Sequence, residues 1–358
     1  MSVLEELGYS DRWRALFEPH AEVGFVPARV VRADRGSVLA MAADGLQRAK
    51  PSTRLLKAAD GPAEHPAVGD WVAVRSAVDA DVAQIEAVLP RASAITRGDP
   101  GKPADVQVLA SNIDVVFVVH PIAEAPNLRR IERELSLAWE SGAIPVVVLT
   151  KGDLSVDSEA AGLTVEAIAP GADVLVTSAL SGEGVGALLG YLEGHRTAVL
   201  IGPSGAGKST LINSLIGEER QVTREVRVAD GRGRHTTVTR ELVVLPDGGL
   251  LIDTPGLRAL GLTGSEEGIS SAFPEIEAAA VDCRFRDCTH AGEPGCAVLA
   301  AVEAGEIPEE RLESYRKLLR EAQVVAAKTD HRLRAEETRK WKTISKAVKE
   351  YYKHTGRG

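Results

Sequence analysis

The sequence predicts a multidomain α/β chain with three parts: a small N-terminal β-barrel, a mostly parallel sheet flanked by helices, and a helical C-terminal segment folded around a metal site. Three observations predict it. At 358 residues the chain exceeds one ordinary core, since a domain averages about 150 residues. The hydrophobic texture changes twice. Short strand-like pieces run to about residue 98, aliphatic runs alternate with amphipathic stretches from about 105 to 265, and a helical pattern follows. The only three cysteines of the chain stand between positions 283 and 296, beside a histidine.

Composition narrows the class. With 44% hydrophobic and 26% charged residues, wholesale disorder is excluded, and 4% aromatics means that the cores are built from Val, Leu, Ile and Ala. The longest apolar runs, such as Val115–Val119, are far shorter than the 18 or so residues of a membrane span. The N-terminus is acidic and polar, without the apolar stretch of a secretory signal. Three cysteines are an odd number, unlike a secreted disulfide framework. These features predict a soluble cytoplasmic protein with no membrane partner. A net charge of −9 argues against a chain that coats nucleic acid uniformly. No pattern marks a large self-complementary face, so a monomer is expected.

In order along the chain, residues 1–21 read as a helical lead-in that buries Leu4, Leu7 and Trp13. Residues 22–98 carry strand candidates at Ala28–Val31, Ser37–Met41 and Asp70–Val74, punctuated by Gly-containing turns. Such spacing predicts a small antiparallel barrel. A five-stranded OB-type barrel matches its size, and many of these bind oligonucleotides, although a purely structural β-domain fits the same residues. Pro100-Gly101-Lys102-Pro103 reads as a linker. Within 105–265 the strand candidates are Ile113–Val119, Ile144–Leu149, Val174–Val176, Ala198–Ile201, Glu241–Leu245 and Leu250–Ile252. The helix candidates are Leu128–Glu140, Gly184–Gly194 and Lys208–Ile216. Continuous aliphatic strands alternating with helices predict a parallel sheet covered on both faces. Residues 266–358 complete the chain with helices, the cysteine cluster and a basic tail. Residues 331–358 hold nine Lys or Arg against three Glu, with Trp341, Ile344, Val348 and Tyr351 at helical spacing. A basic amphipathic helix on an acidic chain suits contact with a phosphate backbone, and equally packing on its own domain.

The strongest chemical signal is Gly202-Pro203-Ser204-Gly205-Ala206-Gly207-Lys208-Ser209, a G-x-x-x-x-G-K-[ST] loop between a strand and a helix. Glycines let backbone N–H groups wrap phosphates, Lys208 reaches the β- and γ-phosphates, and Ser209 binds Mg²⁺. Asp253-Thr254-Pro255-Gly256 places a carboxylate at a strand end for Mg²⁺ and a Gly256 N–H for the γ-phosphate. Between them, Gly231-Arg232-Gly233-Arg234-His235-Thr236-Thr237 offers a switch loop whose Thr236 or Thr237 hydroxyl would meet Mg²⁺. Two pieces point to guanine. Thr150-Lys151-Gly152-Asp153 resembles N-K-x-D, whose carboxylate accepts both hydrogens of the guanine N1–H and N2–H₂ edge. Ser178-Ala179-Leu180 resembles the loop whose backbone N–H meets guanine O6. Thr150 stands where Asn is usual, so weaker support on the base side is expected.

The order of these pieces is informative. A conventional GTPase runs from P-loop to base-reading loops, whereas here positions 150 and 178 precede 202. This is a circular permutation, tolerated because domain termini lie close together. The cut falls after Gly256, so the switch leads straight into residues 266–358, and loss of the γ-phosphate is expected to pull on them. Leu257 occupies the place where many GTPases carry a water-orienting Gln, which predicts slow intrinsic hydrolysis. His235 is the local substitute, with Arg232 and Arg234 as charge stabilisers. Farther on, Cys283-x₄-Cys288-x-His290-x₅-Cys296 matches a closed Cys₃His site for one structural Zn²⁺.

With these pieces in place, residues 22–325 resemble the ribosome small-subunit-dependent GTPase A (RsgA) family. The resemblance rests on the permuted order, the GPSGAGKST loop, GRHTT, DTPG followed by Leu257, the cysteine spacing, Pro66–Val72 and Val88–Arg91. It implies an OB-fold, a permuted GTPase domain and a C-terminal zinc domain. It also implies GTP hydrolysis stimulated by the small ribosomal subunit during its late maturation, with rRNA as a partner. By the same resemblance the nucleotide contacts run through Thr210, the hydrolysis-assisting histidine is His235, and the metal ligands are Cys283, Cys288, His290 and Cys296. Two other readings stay open on the residues alone: a permuted GTPase with another RNA or protein client, and a GTP switch that does not hydrolyse, motivated by Leu257. A phosphate-transferring kinase has no use for Asp153 or the DTPG turn.

Overall fold

The computed structural model describes residues 1–34, 36–59, 61–76, 82–99, 102–123, 125–217, 240–253 and 265–329. The chain opens with α1 (Val3–Glu6), closed by a reciprocal cap in which Ser2 Oγ accepts from the Glu5 N–H and Glu5 accepts from the Ser2 N–H. The second helix, α2 (Asp11–Ala21), buries Trp13 and Phe17. Leu4, Leu7 and Trp13 are all buried, as the sequence predicts. Tyr9 and Trp13 stack around Trp71, at 4.9 and 6.1 Å between ring centroids, so the lead-in is pinned to the outside of the barrel.

The barrel consists of β1 (Val26–Asp34), β2 (Ser37–Ala42), β3 (Gly45–Pro51), β4 (Trp71–Arg75) and β5 (Ala83–Val88), with α3 (Thr53–Ala58) between β3 and β4. The strands close in the order β1-β2-β3-β5-β4-β1, and only the β3–β5 pairing is parallel. This is the five-stranded OB arrangement. Its interior is built from small aliphatic residues such as Ala28, Val30, Ala40, Val72 and Ile85, as an aromatic-poor composition requires. The two barrel motifs meet. Asp70, fully buried, accepts two hydrogen bonds of 2.7 Å from Arg91 and one of 2.7 Å from the Ala67 N–H. Gly69 (φ +96°) has no alternative, because a Cβ there would stand 2.0 Å from the Ser111 carbonyl oxygen.

Of the linker expected at 100–103, Lys102 and Pro103 instead open a strand, and 100–101 lie outside the described residues. β6 (Ala94–Asp99) pairs antiparallel with β7 (Lys102–Ser111), with Asp99 opposite Lys102. Pro and Gly in the sequence suggest a break in structure, and only the alternation of Val106, Val108 and Ala110 along β7 points to a strand.

The central sheet comprises β8 (Val115–Pro121), β9 (Ile144–Thr150), β10 (Asp173–Val176), β11 (Thr197–Ile201), β12 (Arg240–Val244) and β13 (Leu250–Asp253), in the order β10-β9-β8-β11-β13-β12. All pairings are parallel except that of β12 with β13. Alternate residues of β8 feed opposite cores: Val116 and Val118 pack with Ile131 and Leu135 of α4 (Leu128–Glu140), while Val115, Phe117 and Val119 face the other core. That second face is covered by α6 (Val185–Gly190) and α7 (Lys208–Ile216), after an unanticipated α5 (Ser158–Glu166) capped by Asp157. The helix expected over 184–194 stops at Gly190, short of Gly194 (φ +75°) and His195 (φ +60°). Barrel and sheet are not separate. β12 also pairs antiparallel with β1, placing Arg32 opposite Glu241 and Ala33 opposite Arg240, so eleven strands form one continuous sheet.

Beyond the sheet lie α8 (Glu266–Ala272), α9 (Pro274–Ala280), α10 (Ala297–Glu303) and α11 (Glu309–Thr329). α8 presses against α4 so closely that a Cβ on Gly268 would stand 2.5 Å from the Ser136 carbonyl oxygen. Glu140, at the end of α4, is caught in this contact. Its Oε2 is buried with no hydrogen-bond partner among the described residues, and burial pushes its pKa up to about 7 against a smaller opposing pull from the Ser265 N–H. A folded-state pKa above the unfolded one means that the native state binds the extra proton, so stability falls as pH rises from about 4.5 through 7. Thermal unfolding should therefore give a midpoint that declines between pH 5 and pH 8. Glu140→Gln should flatten that decline and raise the midpoint at pH 8.

Candidate functional site

The C-terminal edge of the parallel strands gathers the chemistry, where ligands bind in open α/β sheets. β11 delivers the loop 202–207 into α7. Gly202 (φ +138°) must be glycine, because a Cβ would lie 2.1 Å from the Val119 carbonyl oxygen of the neighbouring β8, and Gly205 and Gly207 also take left-handed backbone. The Lys208 ammonium lies across this loop, donating to the Gly202 carbonyl at 2.7 Å and the Pro203 carbonyl at 2.6 Å. Ser204 lies on the exposed side of the loop, Ala206 is fully buried beneath it, and Ser209 and Thr210 open α7. A cationic amine, a helix N-terminus and left-handed glycines make a candidate cradle for a polyphosphate.

The two base-reading pieces come together. The Ser178 hydroxyl donates to Asp153 Oδ1 at 2.6 Å, joining loops 25 residues apart. Lys151 sits in left-handed backbone (φ +61°), and the Gly152 N–H donates to the Thr177 carbonyl at 3.1 Å. Ala179 follows Ser178, whose N–H is tied to the Glu183 carbonyl. Thr150 is fully competent as a bridge: its hydroxyl donates to the Ala206 carbonyl at 2.6 Å, and the His120 carbonyl lies 3.3 Å away. The shorter side chain thus ties the 150–153 loop to the 202–207 loop. Asp253 ends β13, which runs parallel to β11 with Ile252 opposite Val199, so its carboxylate stands at the same edge as Ser209. His235, Thr236, Thr237 and Gly256, together with Arg232, Arg234, Leu257 and the tail 331–358, lie outside the described residues.

One neighbour of the site was not legible in sequence. His120, at the end of β8, is buried and paired at 2.7 Å with Glu134, which also accepts from Arg130 at 3.0 Å. Read along the chain, His120 is simply the end of an apolar run. Nothing local couples it to a helix 14 residues on.

The four candidate metal ligands form a second centre. The donor atoms of Cys283, Cys288, His290 and Cys296 all lie within 4.8 Å of one another. The Cys283–Cys296 sulfurs are 3.9 Å apart, and His290 Nδ1 lies 3.6 Å from Cys283 Sγ and 3.4 Å from Cys296 Sγ. A tetrahedral zinc with ordinary bond lengths calls for about 3.8 Å between sulfurs and about 3.6 Å between sulfur and nitrogen, so the set fits one such ion. Burial pushes the Cys283 thiol up, but the N–H groups of Val298 and Ala297 and the neighbouring thiols outweigh it and leave the thiol lowered. Cys288 is pushed up to about 11, by burial first and, against a pull down from the His290 N–H, by the other thiols. Cys296 also caps α10, so the metal would tie the knuckle to the helix behind it. Prolonged treatment with a strong chelator, or Cys296→Ser, should give an earlier, separate unfolding step of the C-terminal helices. Differential scanning calorimetry would show it, and zinc release can be followed with a chromogenic indicator.

Comparison with known proteins agrees with this geometry. A family model described as RsgA GTPase matches residues 88–263, and a second, described as 50S ribosome-binding GTPase, matches 197–356. A small ribosomal subunit biogenesis GTPase RsgA of Streptomyces avermitilis is 49% identical over 94% of this chain and 90% of its own length. Its namesake in Streptomyces coelicolor is 48% identical over 98% of this chain and 95% of its own length. Among solved structures, YjeQ from Thermotoga maritima superposes with a TM-score of 0.63 at 28% identity, covering 84% of this chain and 99% of that one. YloQ, titled a circularly permuted GTPase, gives 0.59 at 25% identity, covering 84% and 95%. These relatives match nearly the whole length of the chain at almost half identity, and the chain belongs to the RsgA GTPase family.

Proposed function

We propose that this protein is a Mg²⁺-dependent GTP hydrolase that assembles on the small ribosomal subunit, acts in its late maturation, and uses hydrolysis to leave it. The observation that carries the nucleotide assignment is the Ser178–Asp153 hydrogen bond beside the Thr150–Ala206 tie, which holds a guanine-reading carboxylate in register with a phosphate cradle. The relatives' names supply the subunit. In this reading Lys208 and the backbone of 202–210 hold the phosphates, and Asp153, Lys151 and the Ala179 N–H hold the base. Ser209, Asp253 and either Thr236 or Thr237 hold Mg²⁺, which would offset charge on the phosphates. His235 orients water in place of the missing Gln, and Gly256 reports the γ-phosphate. The Cys₃His cluster holds one structural zinc, the barrel and basic C-terminal segment meet rRNA, and the protein works as a cytoplasmic monomer.

The test is phosphate release from GTP by the purified protein, alone and with purified small or large subunits. We expect a slow basal rate raised strongly by small subunits. Stimulation by large subunits instead would follow the second family description and overturn the choice of client. No turnover under any condition, with GTP still bound, would favour a non-hydrolysing switch.

A further inference from the structure

Where the barrel, the β6–β7 hairpin and β12 converge, they enclose a half-open cleft of about 780 Å³. Its walls carry Arg97 from the hairpin, Arg240 from β12, and Ser37, Asp34 and His65 from the barrel. Burial lowers the pKa of Arg240 and the nearby positive charge of Arg97 lowers it further, so two guanidiniums are held close enough to repel. Among the described residues neither donates to a carboxylate. Asp34, the one acid on these walls, already accepts two hydrogen bonds of 3.1 Å from Arg32 and one of 3.5 Å from Arg48. Among the described residues the cleft is thus left with an excess of positive charge on its walls.

We propose that this cleft binds a phosphate group, bridged between Arg97 and Arg240. Guanidinium presents a planar fork of donors that matches phosphate oxygens, and two forks converging on one anion convert their mutual repulsion into shared attraction. Among the described residues His65 is the only aromatic ring on the walls, so the site recognises the phosphate rather than a base stacked between aromatics. That phosphate can come from an RNA backbone or from a small phosphorylated molecule. The RNA source rests on the ribosomal reading above, whereas the site itself does not. Its position gives it a consequence. Arg240 begins the strand that follows segment 231–237 and is bonded edge to edge with barrel strand β1, opposite Ala33. A phosphate held there ties the barrel to the strand between the two candidate switch segments.

The test uses the full chain saturated with GDP and Mg²⁺, so that the P-loop is filled. Binding of a fluorescein-labelled, unstructured 12-nucleotide RNA is followed by anisotropy from 50 to 200 mM salt, and binding of inorganic pyrophosphate by calorimetry. Arg97→Gln and Arg240→Gln should each weaken binding about tenfold or more. Each should also make the salt dependence of RNA binding shallower by about one unit of log–log slope. Because each removes a repulsion, their unfolding midpoints should stay at or above that of the parent, whereas a structural role would lower both stability and binding. Loss of RNA binding identifies the backbone as the source. Loss of pyrophosphate binding alone identifies a small phosphorylated ligand. Binding of both probes unchanged in affinity and slope overturns the site. Should Arg240→Gln fail to fold, Arg97→Gln on the hairpin carries the same test. Subunit-stimulated hydrolysis measured in parallel separates the two proposals. Intact stimulation with arginine-independent binding removes the site alone. Arginine-dependent pyrophosphate binding without any stimulation leaves the site standing and removes the ribosomal reading.

Discussion

Asp153→Asn should lower affinity for GTP by about 10⁴-fold and create measurable affinity for xanthosine triphosphate. A site built to pair a particular set of donors rejects a ligand that leaves its buried polar groups unpaired by about 10⁴–10⁵. Guanine presents N1–H and N2–H₂ to this carboxylate, whereas xanthine presents N1–H and a carbonyl. The direction of the effect depends on which way the new amide points, and the structure determines that. Ser178 donates to Asp153 Oδ1 at 2.6 Å, so the Asn carbonyl oxygen keeps this bond and the NH₂ turns toward the base. There it donates to the xanthine carbonyl and repels the guanine amine. Titration with fluorescent GTP and xanthosine triphosphate measures both halves. Adding Ser178→Ala should blur the preference by freeing the amide to flip. Equal GTP affinity in the parent and the Asn variant would remove Asp153 from the base site.

The Gly-rich loop and the Cys₃His cluster were legible as candidate sites because each is contiguous. Gly202 to Ser209 and Cys283 to Cys296 bring their side chains together within 8 and 14 residues, where spacing alone carries geometry. The base-reading pair was legible by analogy of pattern, but its internal bond joins residues far apart and appears only once β9 and β10 lie side by side. Contacts that depend on topology left no trace. Arg29 looks like a polar residue interrupting a strand. In the fold it is buried against Trp71 and donates to Thr197 Oγ1 at 2.9 Å, to the Asn112 and Gly69 carbonyls at 3.2 Å, and to the Leu7 carbonyl. Burial takes its pKa down to about 10, and it remains the cation that joins lead-in, barrel and central sheet. The β1–β12 pairing was hidden for the same reason. An edge strand reads identically whether its neighbour is solvent or another domain.

A second long-range cation carries the largest expected effect on stability. Arg311, on α11, is 4% exposed and fastens the C-terminal helices to the central domain. It donates to Glu132 of α4 at 2.9 Å, Glu275 of α9 at 2.5 Å, and the Ala272 and Ile168 carbonyls at 2.7 and 3.1 Å. Its guanidinium also lies 4.2 Å from the centre of the Phe273 ring. Glu132 is 3% exposed and its other oxygen accepts from the Ser314 hydroxyl, so removing the arginine strands a buried carboxylate. Arg311→Ala should therefore cost about 3–5 kcal/mol, because an uncompensated buried charge is worse than none. Arg311→Met with Glu132→Met should cost less than Arg311→Ala alone, since it leaves no buried carboxylate without its cation, although the Ala272 and Ile168 carbonyls and the Ser314 hydroxyl lose their partners. A double-mutant cycle on thermal unfolding measures the coupling directly. Arg311 reaches no part of the phosphate cradle, so the alanine variant should still bind GDP while its C-terminal helices melt earlier. If the switch turn pulls on those helices as its place in the chain suggests, the same variant should bind small subunits yet lose their stimulation. A variant that melts early but is stimulated in full would mean that the Arg311 clamp holds the fold together without transmitting the signal.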